Sequence, residues 1–166
     1  MRVPIRKAGK YTFLKSDPFV TKEKLAELKK TLSKLKDKVQ PRLVQEVKRL
    51  AELGDFSENV EYQLAKGKLR GINSKILKLE KEISEAQIIE INKKSDTVQI
   101  GSLVTVEVND KQIEYRILGS SETDPSSGVI SYQSPLGKVL MNKKAGDIVE
   151  FEHNSQTVEY KILKIK

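Results

Sequence analysis

The sequence predicts an α+β protein: an N-terminal antiparallel helical hairpin of coiled-coil type, then a small antiparallel β domain with one short helix. Three observations carry that reading. Two stretches before residue 90 repeat apolar residues at heptad spacing. Beyond residue 96 the pattern changes to short alternating runs rich in Val, Ile and Tyr. The charge is also split: residues 1–90 hold 21 Lys/Arg against 13 Asp/Glu, whereas residues 91–166 hold 10 of each. The whole formal excess of +8 lies in the helical half. That excess either solvates a long rod or meets phosphate or acidic protein surfaces.

Composition removes several classes. The 166 residues make one ordinary domain or two small ones. There is no cysteine, hence no disulfide framework and no thiolate metal site. His153 is the only histidine, which disfavours zinc. No apolar run approaches the roughly 20 residues that span a bilayer. The opening MRVPIRKAGKYTFLK is basic but lacks the apolar stretch of a secretory signal. A soluble, cytoplasmic monomer without a membrane partner is expected.

Residues 1–17 form an N-terminal extension, and the coiled coil is expected over 18–91. Asp17-Pro18 marks a turn, and Thr21 with Lys22-Glu23-Lys24 marks a helix start. The first seam runs Leu25, Leu28, Leu32, Leu35, Val39, in steps of 3, 4, 3 and 4. Pro41 interrupts it, because it lacks an N–H and disfavours helix at Gln40. A kink, or a second helix starting with Pro41 in its first turn, is expected. The seam resumes with Val44, Val47 and Leu50. A second seam runs Leu69, Ile72, Ile76, Leu79, Ile83, Ala86, and Val60 and Leu64 extend it backward. Neither apolar stripe is stable alone in water, so the two segments fold back on each other. As a helix, residues 58–86 reach about 43 Å at 1.5 Å per residue.

Residues 92–97 read as a polar linker, and 98–166 as the β domain. Strands are predicted over 102–108, 112–118, 128–132, 147–153 and 157–165, with turns at Asn109-Asp110-Lys111 and Asn154-Ser155-Gln156. Pro135 through Met141 suit one short helix.

Between the two seams lies LGDFSENVEY, residues 53–62, a carboxylate-rich link in a basic rod. Two readings stand side by side. Asp55-Phe56-Ser57-Glu58 has the spacing of a capping box, with Gly54 ending the preceding helix. Alternatively, two carboxylates at a protruding tip donate ligands to an incomplete metal site on another protein. Mg²⁺ is usually held by one or two carboxylates plus waters and phosphates, so the pair is too small a set to hold it alone. A narrow rod of this length fits a deep pore.

GDFSENVEYQLAK (54–66) closely resembles the tip signature of the GreA/GreB bacterial transcript-cleavage factors, GD-x-SENAEY-x-AAK. The resemblance continues through ILKLEKEISEAQII (76–89), GSLVTVE (101–107), YRILGSSETD (115–124), ISYQSPLGKVLMNKKAGD (130–147) and VEYKILKI (158–165). It covers about residues 18–166, with the segments in the right order.

The resemblance implies a coiled coil whose acidic tip, here 54–61, enters the secondary channel of bacterial RNA polymerase. It implies an FKBP-like C-terminal domain that binds the channel rim. The factor then stimulates hydrolysis of the nascent RNA 3′ end in a backtracked, arrested complex. It is not itself an enzyme, since the polymerase carries the catalytic centre. Asp55 and Glu58 match the two tip carboxylates that help hold the second Mg²⁺ and its attacking water. That ion is shared only in the polymerase complex, and the isolated chain binds none. Ser57 orients water or caps the helix. Asn59, Glu61 and Tyr62 match the signature as tip support, and Phe56 replaces the usual Leu.

Lys66, Lys68 and Arg70, with Lys48 and Arg49, are the candidates for holding extruded RNA, although solvation accounts for any single one. Tyr132, Gln133, Ser134 and Pro135 match the loop facing the polymerase rim; a helix start after a strand explains Ser134-Pro135 equally well. Two departures from the family's usual residues fall on the RNA-facing surface: Gly67 for Glu, and Asn73-Ser74-Lys75 for Glu-Gly-Arg. An inhibitory relative that occupies the channel without stimulating cleavage is the alternative. A general basic nucleic-acid binder is a third reading, for which the ordered match leaves little room.

Overall fold

The computed structural model describes residues 17–52, 59–90, 96–153 and 156–166. The N-terminal extension before Asp17, most of the linker and the turn at 154–155 lie outside the described residues.

The chain opens with a two-residue strand, β1 (Phe19–Val20), which is too short to leave a periodic signal in the sequence. It pairs in parallel with β2 (Gln87–Ile88), so the two ends of the helical hairpin are joined side by side. Helix α1 (Lys22–Lys34) begins where the sequence places it. Thr21 is its N-cap, with the side chain accepting from the Lys24 amide at 3.1 Å.

A π-helical turn (Leu35–Val39) and α2 (Gln40–Glu52) continue α1 directly. Helix α2 carries Pro41 in its first turn, as one of the two expectations had it, but it follows α1 through the π turn without a break in the helical backbone. Gln40 keeps helical φ and ψ of −58° and −49°, and its N–H bonds to the Leu35 carbonyl, five residues back. This widened turn ends just before the proline, at the place where a ring would press on the preceding carbonyl ladder and a donor is missing.

The π turn also resets the seam. A strict heptad continued from Val39 would carry Arg42, Glu46 and Arg49 inward. One extra residue shifts the phase, so Leu43, Val47 and Leu50 turn inward instead, and Leu50 is only 2% exposed. Val44, expected in the seam from its apolarity, is 48% exposed.

Helix α3 (Val60–Glu85) returns antiparallel; its 26 residues span about 39 Å. Leu28 and Leu35 pack with Ile76 and Leu79 at the centre of the zipper, flanked by Leu32, Val39, Ile72 and Ile83. The backward extension through Val60 and Leu64 is corrected: they are 69% and 60% exposed, and Tyr62 and Ala65 face inward. Counting back from Leu69 in steps of 4 and 3 reaches Ala65 and Tyr62, whereas Leu64 is five residues away and falls on the outer face. One polar layer crosses the zipper, where Gln40 Nε2 donates to Asn73 Oδ1 at 2.8 Å. Asn73 therefore faces the other helix, and a polar pair in an apolar seam favours one register.

Among the described residues, five strands form one sheet in the order β5-β4-β3-β7-β6: β3 (Leu103–Val108), β4 (Lys111–Leu118), β5 (Val129–Ser131), β6 (Ile148–His153) and β7 (Gln156–Ile165). Asn109 and Asp110, with φ of 49° and 59°, make the tight turn their composition predicts. The sheet is antiparallel except for β5, which runs parallel to β4. Parallel pairing requires a crossover. Residues 119–128 supply it through two 3₁₀ turns, Ser120–Glu122 and Pro125–Ser127. In the second, Asp124 accepts from the Ser126 and Ser127 hydroxyls at 2.6 and 2.8 Å, which hold its carboxyl below the usual carboxylate range.

The sheet buries Val104, Val106, Ile117, Ile130, Val149 and Ile162 against Val98 and the short helix α4 (Pro135–Leu140). Leu140 is fully buried there. Gly137 lets α4 approach β5: a Cβ at that position would lie 2.1 Å from the Ser131 carbonyl oxygen.

The corrected seam makes a direct prediction. Leu50→Ala should lower hairpin stability by about 2–5 kcal/mol, and Leu64→Ala should change it by less than about 0.5 kcal/mol. Urea unfolding followed by far-ultraviolet circular dichroism checks both.

Candidate functional site

The carboxylates of interest are bounded by two described ends. Helix α2 is described as far as Glu52 and α3 starts at Val60, so residues 53–58 connect antiparallel helices at the end opposite β1 and β2. Asp55, Ser57, Glu58, Phe56 and the expected Asp55–Glu58 capping box lie outside the described residues. Asn59 is the N-cap of α3. Its Oδ1 accepts from the Tyr62 amide at 3.0 Å, and its Nδ2 donates to the Leu50 carbonyl at 3.4 Å. One amide thus caps the returning helix and satisfies a carbonyl near the end of the outgoing one.

The other signature residues divide. Glu61 sits exposed in the first turn of α3, where a negative charge suits the helix dipole. It shares a groove of about 350 Å³ between α2 and α3, lined also by Leu43, Leu50, Ala65 and the edge of Leu64, and by Glu46, Arg49 and Lys68. Tyr62 is half-buried toward the zipper, and the Lys66 ammonium stands 5.5 Å from its ring centroid. Of the five basic candidates, the structure brings Arg49 and Lys68 into one groove with two carboxylates. Lys66 is drawn onto Tyr62 instead. Lys48 and Arg70 are exposed outside that groove lining.

Tyr132, Gln133, Ser134 and Pro135 follow β5 directly. Ser134 caps α4: its Oγ accepts from the Gly137 amide at 3.0 Å and donates to the Ser131 carbonyl at 2.6 Å. Pro135 occupies the first helical position. Tyr132 is half-buried, its hydroxyl donating to Asp17 Oδ1 at 3.2 Å and accepting from Gln133 Nε2 at 2.8 Å. Gln133 and Pro135 are the exposed members.

Sequence reading missed what Tyr132 joins. Asp17 also accepts from the Ser120 amide and hydroxyl at 2.7 and 2.9 Å, and Thr21 donates to Glu122. These pairs span more than a hundred positions, and no local pattern signals them; the Asp17-Pro18 turn was the only visible trace.

For a metal, the described residues contain no group of three His, Cys, Asp or Glu side chains placed to hold one. Asn59, next to the link, has its amide engaged on both sides. Among the described residues, no helix is long and apolar enough to cross a membrane.

Known proteins match the chain along nearly its whole length. Residues 18–88 match the family model described as "Transcription elongation factor, N-terminal", and 93–166 match "Transcription elongation factor, GreA/GreB, C-term". A transcription elongation factor GreA of Lachnoclostridium phytofermentans is 38% identical over 151 residues, which is 89% of this chain and 94% of that one. Those of Neorickettsia sennetsu and Acetivibrio thermocellus are 37% and 39% identical over 150 residues, again 89% of this chain and 94% of theirs.

The double role of Asn59 is testable. Asn59→Ala should cost about 0.5–2 kcal/mol of hairpin stability, whereas Asn59→Asp, which keeps the capping acceptor, should cost less. Thermal melts of the three chains give the ranking.

Proposed function

The chain belongs to the GreA/GreB family of transcription elongation factors, and from that premise we propose that it rescues backtracked RNA polymerase by stimulating cleavage of the nascent RNA 3′ end. The observation that carries the proposal is the place of the link: the SEN-type signature joins two zipped helices about 39 Å from the base of the stalk. A two-helix rod of that length would suit entry into the secondary channel. The polymerase contributes the catalytic centre, and this chain contributes what that centre lacks.

Asp55 and Glu58 are the residues that would hold a second magnesium ion. In a two-metal centre such an ion supplies an activated water and charge stabilisation at the phosphodiester. The role of the chain is delivery. The zipper holds together the two helix ends that frame the link, Asn59 fixes where α3 begins, and the carboxylates would arrive on that support. Pre-positioning of this kind removes entropy from the barrier before the reaction starts.

The remaining sites follow as parts of the same proposal. Arg49 and Lys68 share a groove beside the tip and are the best-placed contacts for the extruded 3′ RNA. Lys66, Arg70 and Lys48 add positive field around it. On the C-terminal domain, Gln133 and Pro135 offer exposed surface to the channel rim, on a loop shaped by Tyr132 and Ser134.

A stalled, backtracked elongation complex tests this. Adding the protein with Mg²⁺ should release short 3′ RNA fragments. Asp55→Ala and Glu58→Ala should each lower the release rate by about a hundredfold or more, the scale for losing a pre-organised electrostatic group, while still competing with the native chain for polymerase. Undiminished release from both variants overturns the assigned roles. Polymerase binding without cleavage by the native chain favours the inhibitory relative.

A further inference from the structure

Stalk and sheet meet at a joint where two carboxylates collect the polar contacts. Asp17 accepts four hydrogen bonds: from the Phe19 amide at 3.1 Å, the Ser120 amide at 2.7 Å, the Ser120 hydroxyl at 2.9 Å and the Tyr132 hydroxyl at 3.2 Å. Glu122 accepts two, from the Thr21 amide at 2.8 Å and the Thr21 hydroxyl. The network runs on into the sheet domain, where Ser120 Oγ meets the buried Ser131 hydroxyl at 2.9 Å.

Apolar and backbone contacts lock the same place. The Phe19 ring packs edge-on against Tyr132 with centroids 5.7 Å apart. At Gly119 the two parts touch backbone to backbone, and a Cβ there would lie 1.9 Å from the Phe19 carbonyl oxygen. Charge-assisted bonds are short, directional and stronger than neutral ones. An apolar patch allows sliding, whereas such bonds fix an angle.

The angle matters because the stalk is a lever. Over about 39 Å, a tilt of only about 2° at the base moves the far end by about 1.4 Å. A misplacement of about 1 Å can cost on the order of a hundredfold in rate. We infer that Asp17 and Glu122 are positioning residues: together with Thr21, Ser120 and Gly119 they set the angle of the stalk and hence where the tip carboxylates arrive. This rests on the transcript-cleavage reading for its functional consequence, but not for the geometry of the joint.

The test separates the joint from helix capping. Thr21 does two jobs, capping α1 through Lys24 and donating to Glu122. Thr21→Asp keeps a strong N-cap residue but sets a carboxylate against Glu122. Adding Glu122→Gln exchanges donor and acceptor across the joint and should restore it. The chain has no cysteine, so Leu77→Cys on α3 and Glu152→Cys on β6, both exposed, give one specific spin-label pair.

Pulsed electron paramagnetic resonance should find one narrow label distance in the otherwise native chain. It should broaden in Thr21→Asp and in Asp17→Ala and narrow again in Thr21→Asp/Glu122→Gln. Maximal cleavage, measured on the unlabelled chains at saturating factor, should fall by about tenfold to a hundredfold in the two broadened variants and recover with the exchange. Equal far-ultraviolet circular dichroism confirms that α1 stays capped. A distance that stays narrow in both single variants overturns the joint. Broadening with undiminished cleavage overturns its positioning role. If the native chain stimulates no cleavage, the functional reading fails, and the label distances still decide the joint.

Discussion

Neither stalk helix can keep its apolar stripe in water, and the fold answers by zipping the two stripes together. Leu28, Leu35, Ile76 and Leu79 form the centre of that zipper, and Leu50 closes it toward the tip. Everything proposed for the acidic link depends on this contact. If the zipper were loose, the link would be a mobile loop on two frayed helices. Closed, it makes a two-helix rod that presents residues 53–58 at one end and leaves the other end free to be anchored.

Anchoring uses different chemistry. The zipper is apolar and gains from buried area, whereas the joint relies on directional bonds to Asp17 and Glu122. The first makes the stalk stiff, and the second fixes its direction. The sheet domain adds the solid base: its core of fully buried Val104, Val106, Ile117 and Ile162 supports the crossover on which Ser120 and Glu122 sit. Stiffness without direction, or direction without stiffness, would not deliver a side chain to a fixed point.

Much of this was legible in the sequence. Heptad spacing located both helices, alternation located the strands, and Asn109-Asp110 announced its turn. The errors share a physical origin. Val44, Val60 and Leu64 were placed in the seam because they are apolar, but a π turn adds one residue of phase, and Leu64 lies off the 3-4 rhythm that runs through Ala65. Such a bulge has no residue signature beyond the proline that follows it. Strands of two residues, the parallel β5 and the Asp17 joint depend on contacts between distant segments. Their information is tertiary, and a local window cannot hold it. The signature around Asp55 and Glu58 was the reverse case: the sequence names those residues, while the described structure gives only the two helix ends that frame them.

Reach is the central claim, and stalk length tests it most directly. Removing one heptad from α1 and the facing heptad from α3 keeps the seam in phase but shortens the stalk by about 10 Å. The shortened chain should fold, compete with the native chain for RNA polymerase, and release almost no 3′ RNA fragments from a backtracked complex at saturating concentration. Cleavage at the native rate by that chain would contradict the account.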